Sequence, residues 1–201
     1  MAHTPWPRLV VASGNPGKLR EFRALLAGLA TEILPQTELG VPSPVETEST
    51  FMGNALLKAR HAARLTGLAA LADDSGLEVD ALGGAPCVWS ARYAGEGADD
   101  AANNARLLEA LAGFAEPRRA RYRAVIVLVE GPDDPAPLIA EGSWEGRIAT
   151  TARGVGGFGY DPLFLVGEGG QTAAELPAEL KNRISHRAQA LAALLAQVRV
   201  R

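Results

Sequence analysis

Cysteine is nearly absent from this chain of 201 residues: Cys87 stands alone. A single cysteine excludes an internal disulfide and any zinc site built of cysteines only. Aromatic residues are scarce, at 5%, so an aliphatic core is expected. Excess positive charge is also missing. The formal net charge is −3 and the isoelectric point is about 5.7. A protein that grips nucleic acid regardless of sequence normally presents a basic face, so no nucleic-acid partner is expected. A small anionic ligand stays compatible, because a pocket can be basic on an acidic protein. No apolar run reaches the roughly 20 residues of a membrane-spanning helix. The stretch around Pro5, Trp6, Pro7 and Arg8 lacks the apolar centre of a signal peptide. The expected setting is soluble and cytoplasmic, with no membrane partner.

What is present suits one domain or two fused lobes: 47% hydrophobic and 21% charged residues can bury a real core. Leu9 to Ala12 reads as a buried strand. Phe22, Leu25, Leu26 and Leu29 recur at helical spacing and predict a helix over about 17–29. A short strand is expected near Glu32–Leu34. The run "PQTELGVPSPVETEST" reads as an exposed loop, with Thr50 capping a helix over about 51–65. Leu68–Ala72 and Gly76–Val79 read as two strands, joined by a turn at Asp73–Ser75. A helix over 99–111, capped by Asp99 or Asp100, precedes a long strand over 121–129. The turn at Pro132–Pro135 returns the chain as a hairpin partner over 138–144. Ser185 is placed as the cap of a last helix, with Leu191, Leu194, Leu195 and Val198 on its buried face. Alternating helices and strands with one inserted hairpin predict an α/β fold with a mixed sheet.

Four polar clusters interrupt apolar segments at the ends of these elements. The first is Ser13, Gly14, Asn15, Pro16, Gly17 and Lys18. A strand, a small-residue turn, a lysine and a helix can cradle phosphate. The Walker pattern, however, requires glycine and a hydroxyl residue where Ala12 and Leu19 stand, so this is no P-loop NTPase. A plain helix start with a solvated lysine is the competing reading. The second cluster is Asp73, Asp74, Ser75 and Gly76. Adjacent acids repel unless a cation neutralises one, and Mg²⁺ prefers carboxylates and water. An ordinary turn is the competing reading. Glu46 and Glu48, in the preceding loop, offer a further metal ligand. The third is Gly156 to Pro162, where Phe158 between glycines is a stacking platform or a turn that pins one ring. The fourth is "KNRISHR", Lys181 to Arg187. His186 and Arg187 lie at a helix N-terminus, the wrong end for cations by the helix dipole, unless they face an anion.

Five blocks carry a family resemblance: "SGNPGK" (13–18), "TFMGNALLKAR" (50–60), "ADDSGLEVDALGGAPCVWSARYAG" (72–95), "GGFGYDPLF" (156–164) and "AELPAELKNRISHRAQAL" (174–191). In this order, from about Leu9 to Leu195, the chain closely resembles the inosine triphosphate pyrophosphatase family, in its bacterial-type XTP/dITP diphosphatase branch. The resemblance implies a long, curved mixed sheet with helices forming two lobes around a central cleft. It implies a single domain over 1–201, with residues 1–8 as a flexible N-terminal extension. It implies hydrolysis of ITP, dITP and XTP to the monophosphate and pyrophosphate, with Mg²⁺ as cofactor, in a homodimer. Position by position, it assigns Ser13, Gly14, Asn15, Pro16, Gly17 and Lys18 to the triphosphate, helped by Lys58. Glu46 and Asp74 serve the metal, Asp74 also takes the proton of the attacking water, and Ser75 touches substrate. Phe158, Gly159, Tyr160, Asp161, Lys181, His186 and Arg187 form the nucleobase pocket. Cys87 stands where the family pattern favours glycine, which puts the local turn in question. A pyrophosphatase for other modified nucleotides shares this chemistry and differs in the base pocket alone. A non-catalytic nucleotide-binding module is the alternative from another class.

Overall fold

The computed structural model of the chain describes residues 6–26 and 30–198. Strand β1 (Trp6–Val11) leads through helix α1 (Pro16–Leu25) to β2 (Ala30–Pro35), and α2 (Phe51–Thr66) leads to β3 (Ala69–Val79). Helix α3 (Asp100–Ala110) is followed by β4 (Arg119–Val129), β5 (Leu138–Ile148) and two short strands, β6 (Phe164–Val166) and β7 (Gln171–Thr172). Helices α4 (Ala178–Ile184) and α5 (His186–Val198) follow. The seven strands form one sheet in the order β2-β1-β3-β4-β5-β6-β7. β1 runs parallel to both β2 and β3, which demands the crossovers that α1 and α2 supply. β6 runs antiparallel to β5 and β7. The sheet is therefore mixed, as the alternating pattern predicts, and β4 and β5 are neighbours, as the hairpin reading requires.

The chain divides into two compact units. The first comprises Met1–Asp74, Ala124–Gly142 and Arg187–Arg201; the second comprises Ser75–Arg123 and Ser143–His186. β3, β4 and β5 each give residues to both. The first unit has an aliphatic core, with Leu9, Val11, Leu26, Leu71, Ile126, Leu128, Leu191 and Leu194 around Phe22. The second does not meet the aliphatic expectation. It gathers Tyr122, Trp144, Tyr160 and Phe164 with Leu77, Leu107 and Leu163. Tyr122 and Phe164 have ring centroids 4.6 Å apart.

Several boundaries differ from the sequence reading. β1 begins at Trp6, pairs with β2 from Trp6↔Ala30 onward, and so takes in part of the expected extension over 1–8; residues 1–5 lie outside the described residues. α1 ends at Leu25 with Leu26 as its C-cap, and Leu29 lies outside the described residues. The expected turn at Asp73–Ser75 is absent. β3 runs unbroken through Ala69–Val79, because lysines and an arginine, rather than a turn, answer its two acids. The last helix is two helices. Ser185 closes α4 in extended conformation (φ −67°, ψ 161°), its N–H bonded to Lys181 O, so Lys181 belongs to α4 and only His186 and Arg187 open α5. The expected caps Thr50 and Asp99 are present, accepting from Gly53 N and Ala102 N. Cys87 does adopt a glycine-like conformation, with φ +50°.

Candidate active site

The turn after β1 is held by its own side chains. Ser13 Oγ accepts from Asn15 N at 3.2 Å and Asn15 Oδ1 accepts from Lys18 N at 3.1 Å. Asn15 is thereby the N-cap of α1, and Pro16 follows at the position where a missing N–H costs nothing. The Ser13 and Asn15 side chains build the loop. The group it projects is the Lys18 ammonium, which sits 3.1 Å from Asp73 Oδ2. Burial lowers the Lys18 pKa, and Asp73 opposes that shift.

Asp73 and Asp74 follow the apolar run of β3. Both are buried, at 2% and 6% exposure. Each has its own cations. Asp73 Oδ2 receives Lys18 and also Arg187, whose Nε and Nη2 both lie at 3.3 Å. Arg187, 1% exposed, donates its remaining nitrogen, Nη1, to Glu21 of α1. Burial pushes the Asp73 carboxyl up, but Lys18, Arg187 and Lys58 more than offset it and hold it well below the usual carboxylate range. Asp74 goes the other way. Burial raises its pKa in spite of Lys58.

Lys58 of α2 bridges two acids, with Nζ 2.8 Å from Asp74 Oδ1 and 2.9 Å from Glu46 Oε1. Burial pushes the Lys58 pKa down, but Asp74, Asp73 and Glu46 together leave it raised. Asn54, one turn earlier on α2, donates to Asp74 Oδ2 at 3.3 Å and pairs with the Glu48 backbone through both ends of its amide. It thus ties the irregular segment carrying Glu46 to the carboxylate. Gly53 lets that segment lie close: a Cβ there would stand 2.7 Å from Glu48 Cβ. The residues fit a hard divalent cation. Glu46 and Asp74 already converge on one cationic point, and Mg²⁺ uses one or two carboxylates with phosphate oxygens and water completing six.

In the second unit, Asp161, 2% exposed, organises the glycine loop. Its Oδ2 accepts from Phe158 N at 2.9 Å and from Lys181 Nζ at 2.5 Å, and its Oδ1 from Tyr122 OH at 3.4 Å. Gly157 must be glycine: φ is +73°, and a Cβ would stand 2.0 Å from Asp161 Oδ2. The Lys181 ammonium lies 4.8 Å from the centre of the Phe158 ring. His186 stacks on Tyr122 at 4.7 Å and 12°. Tyr160 is a core residue whose hydroxyl donates to Ser90 O at 2.8 Å.

The structure thus groups Lys18, Glu46, Lys58 and Asp74 in the first unit, and Phe158, Asp161, Lys181 and His186 in the second. Ser75 begins the second unit's share of β3. Arg187 was assigned with the base-binding group, yet its hydrogen bonds to Asp73 and Glu21 place it in the first unit's acid–base network. Glu21, Asn54, Asp73, Asp100 and Asn104 were not singled out as site residues. Their signal was weak, since polar residues in amphipathic helices read as solvated faces. Two of them carry another signal: Asp73 as one of an adjacent acidic pair and Asp100 as a helix-cap candidate.

The fold and these clusters define a mixed-sheet α/β protein whose polar centre is made of paired lysines and carboxylates, without a Walker loop. The chain belongs to the Ham1 family, whose model matches residues 9–197. It is 64% identical over 187 residues to the dITP/XTP pyrophosphatase of Xanthomonas campestris pv. campestris (strain 8004), covering 92% of this chain and 94% of that one. It is 59% identical over 196 residues to the enzyme of the same name from Ralstonia nicotianae, covering 96% and 97%. Among solved structures, a HAM1 protein from Coxiella burnetii matches with a TM-score of 0.88 at 52% identity, over 96% of this chain and 99% of that one.

Proposed function

We propose that this protein hydrolyses the non-standard purine nucleoside triphosphates ITP, dITP and XTP to the monophosphate and pyrophosphate, so removing them from the nucleotide pool. The observation that carries the reading is the pair of adjacent buried acids on β3, each bound to a different lysine, in a chain whose relatives bear the name dITP/XTP pyrophosphatase. Lys18 and Lys58 supply two positive charges for a triphosphate. Asp74 accepts the proton of the attacking water. Such general-base help is worth roughly 10²–10⁴-fold. Glu46 and Asp74 hold Mg²⁺, which supplies charge neutralisation for the polyphosphate when bound. Ser13 to Gly17 set the phosphate loop, and Ser75 touches substrate.

The second unit handles the base. Phe158 is the stacking surface, and Asp161 and Lys181 fix its setting. Hypoxanthine and xanthine present a C6 carbonyl where adenine presents an amine. A donor such as His186 aimed at that oxygen rejects adenine by roughly 10⁴-fold. The chain acts as one domain of two lobes and as a homodimer, in the cytoplasm, with neither nucleic acid nor membrane as partner. No described helix is long and apolar enough to cross a membrane.

Initial rates on dITP, XTP, ITP, GTP and ATP, with and without Mg²⁺, test this reading. Pyrophosphate release is expected from the first three and to require Mg²⁺; its absence with all three overturns the proposal. Lys18→Ala is expected to lower kcat/KM by roughly 10–100-fold on every substrate alike, the worth of one hydrogen bond to a charged group, because the phosphates are common to all. A loss confined to dITP would move Lys18 to the base end.

A further inference from the structure

The start of α3 clasps the glycine loop by its backbone. Asp100 Oδ2 accepts from Gly159 N at 2.6 Å, and Asn104 Nδ2 donates to Gly159 O at 2.8 Å. Both polar backbone groups of Gly159 are therefore bound by two side chains one helical turn apart. Asn104 Nδ2 also donates to Asp100 O at 2.6 Å, which orients its amide toward the loop. Asp100 is the first residue of α3 and Asp99 caps the helix, so Asp100 is spared for the loop. A carboxylate at this end is also favoured by the helix dipole.

The clasp bears on Phe158. Asp161 holds the Phe158 N–H, at 2.9 Å, and Phe158 O accepts from Asp161 N at 3.3 Å. Asp100 holds the next N–H along, that of Gly159, and so fixes the peptide plane that follows the aromatic residue. With the peptides on both sides of Phe158 bound, its backbone dihedrals are set and the ring's own rotation is left. The loop needs such bonds. Glycines 154, 157 and 159 all have positive φ, and a glycine-rich backbone loses the most conformational freedom on ordering. The "GADDAANN" stretch falls outside the nucleotide-binding roles assigned above.

We infer that Asp100 and Asn104 are positioning residues for base binding: by clasping Gly159 they hold Phe158 ready to stack on the purine. The inference rests on the proposed function and adds to it the device that sets its base platform. The bound state then requires no ordering of the loop, which lowers the entropic cost of binding. The phosphate end is untouched.

Steady-state kinetics on dITP with the wild type, Asp100→Ala, Asp100→Asn and Asn104→Ala test this, together with inhibition by pyrophosphate and thermal melts. Asp100→Ala is expected to raise KM about tenfold, the loss of one charge-assisted bond, with kcat within about twofold and the pyrophosphate Ki unchanged. Asp100→Asn keeps an acceptor for Gly159 N–H and is expected to restore most of the KM. Asn104→Ala is expected to raise KM by a smaller factor, since its bond is between neutral groups. A folded Asp100→Ala with wild-type KM overturns the clasp while leaving the proposed function intact. So does a parallel loss of kcat and pyrophosphate affinity, which marks a purely structural role, and so does an Asp100→Asn no better than Asp100→Ala. A wild type that releases no pyrophosphate from dITP, XTP or ITP overturns the functional reading and the inference with it.

Discussion

Asp74→Asn is expected to lose at least about a hundredfold in kcat while the protein keeps its fold, because an amide cannot take a proton from water. The geometry sharpens the expectation. Asp74 Oδ1 faces the Lys58 ammonium at 2.8 Å and Oδ2 faces the Asn54 amide at 3.3 Å, so both oxygens face donors. Whichever way the new amide turns, its NH₂ meets one of them. The variant loses the base and also disturbs Lys58, whose ammonium then relies on Glu46. Stopped assays of pyrophosphate release, with circular dichroism to confirm folding, decide the matter. A folded variant that retains more than about a tenth of wild-type kcat rules Asp74 out as the general base, since even the low end of the effect is about 10².

Arg187→Ala is expected to be the most destabilising single change in the site. The guanidinium is 1% exposed and answers two carboxylates, Asp73 at 0% and Glu21 at 11% side-chain exposure. Removing one member of a buried ion network strands the other charges, which costs about 3–5 kcal/mol. For a protein of this size that corresponds to a fall in Tm of roughly 6–20 °C. Arg187→Lys keeps a charge but loses the fork that serves two acids at once, and is expected to fall between wild type and alanine. Differential scanning calorimetry of the three proteins, with kcat/KM for ITP and ATP on each, separates two roles. A scaffold arginine lowers Tm and reduces both substrates in parallel. An arginine that reads the base leaves Tm in place and lowers the ITP:ATP ratio at least tenfold.

Local signals in the sequence reported local structure well. Thr50 and Asp99 read as caps because a side-chain oxygen three residues ahead of a free N–H is a short-range arrangement. At Cys87 the sequence left the turn in question, and the structure resolves it: the cysteine takes up a left-handed conformation at φ +50°. The failures share one cause. Asp73-Asp74-Ser75-Gly76 has turn composition, yet β3 passes straight through it. What overrides the propensity is Lys18, Lys58 and Arg187, the last of them 114 positions away. Arg187 itself was legible as an anomaly, a cation at the N-terminal end of a helix, but its answer, Asp73 and Glu21, was not, because neither acid announces its partner. Glu21 looked like any polar position on an amphipathic helix. Ser185 stands directly before α5, where its reading as a cap puts it; the part that was not legible is that its extended backbone also ends α4. The site's residue types were thus visible in the sequence, whereas their pairing depends on contacts that span most of the chain.

The position of Arg187 in the chain has a consequence for synthesis. It lies 166 residues after Glu21 and 114 after Asp73, and the whole of the second unit is encoded before it. On the ribosome, Asp73 and Glu21 emerge early and stay without their shared cation until the segment from Arg187 onward is released. A nascent chain that buried those acids sooner would bear the cost of desolvating Glu21 without its guanidinium and Asp73 with Lys18 but without Arg187. The first unit therefore completes last although it begins first, and a translational stall anywhere before Arg187 leaves it unfinished with its acidic pair still seeking water.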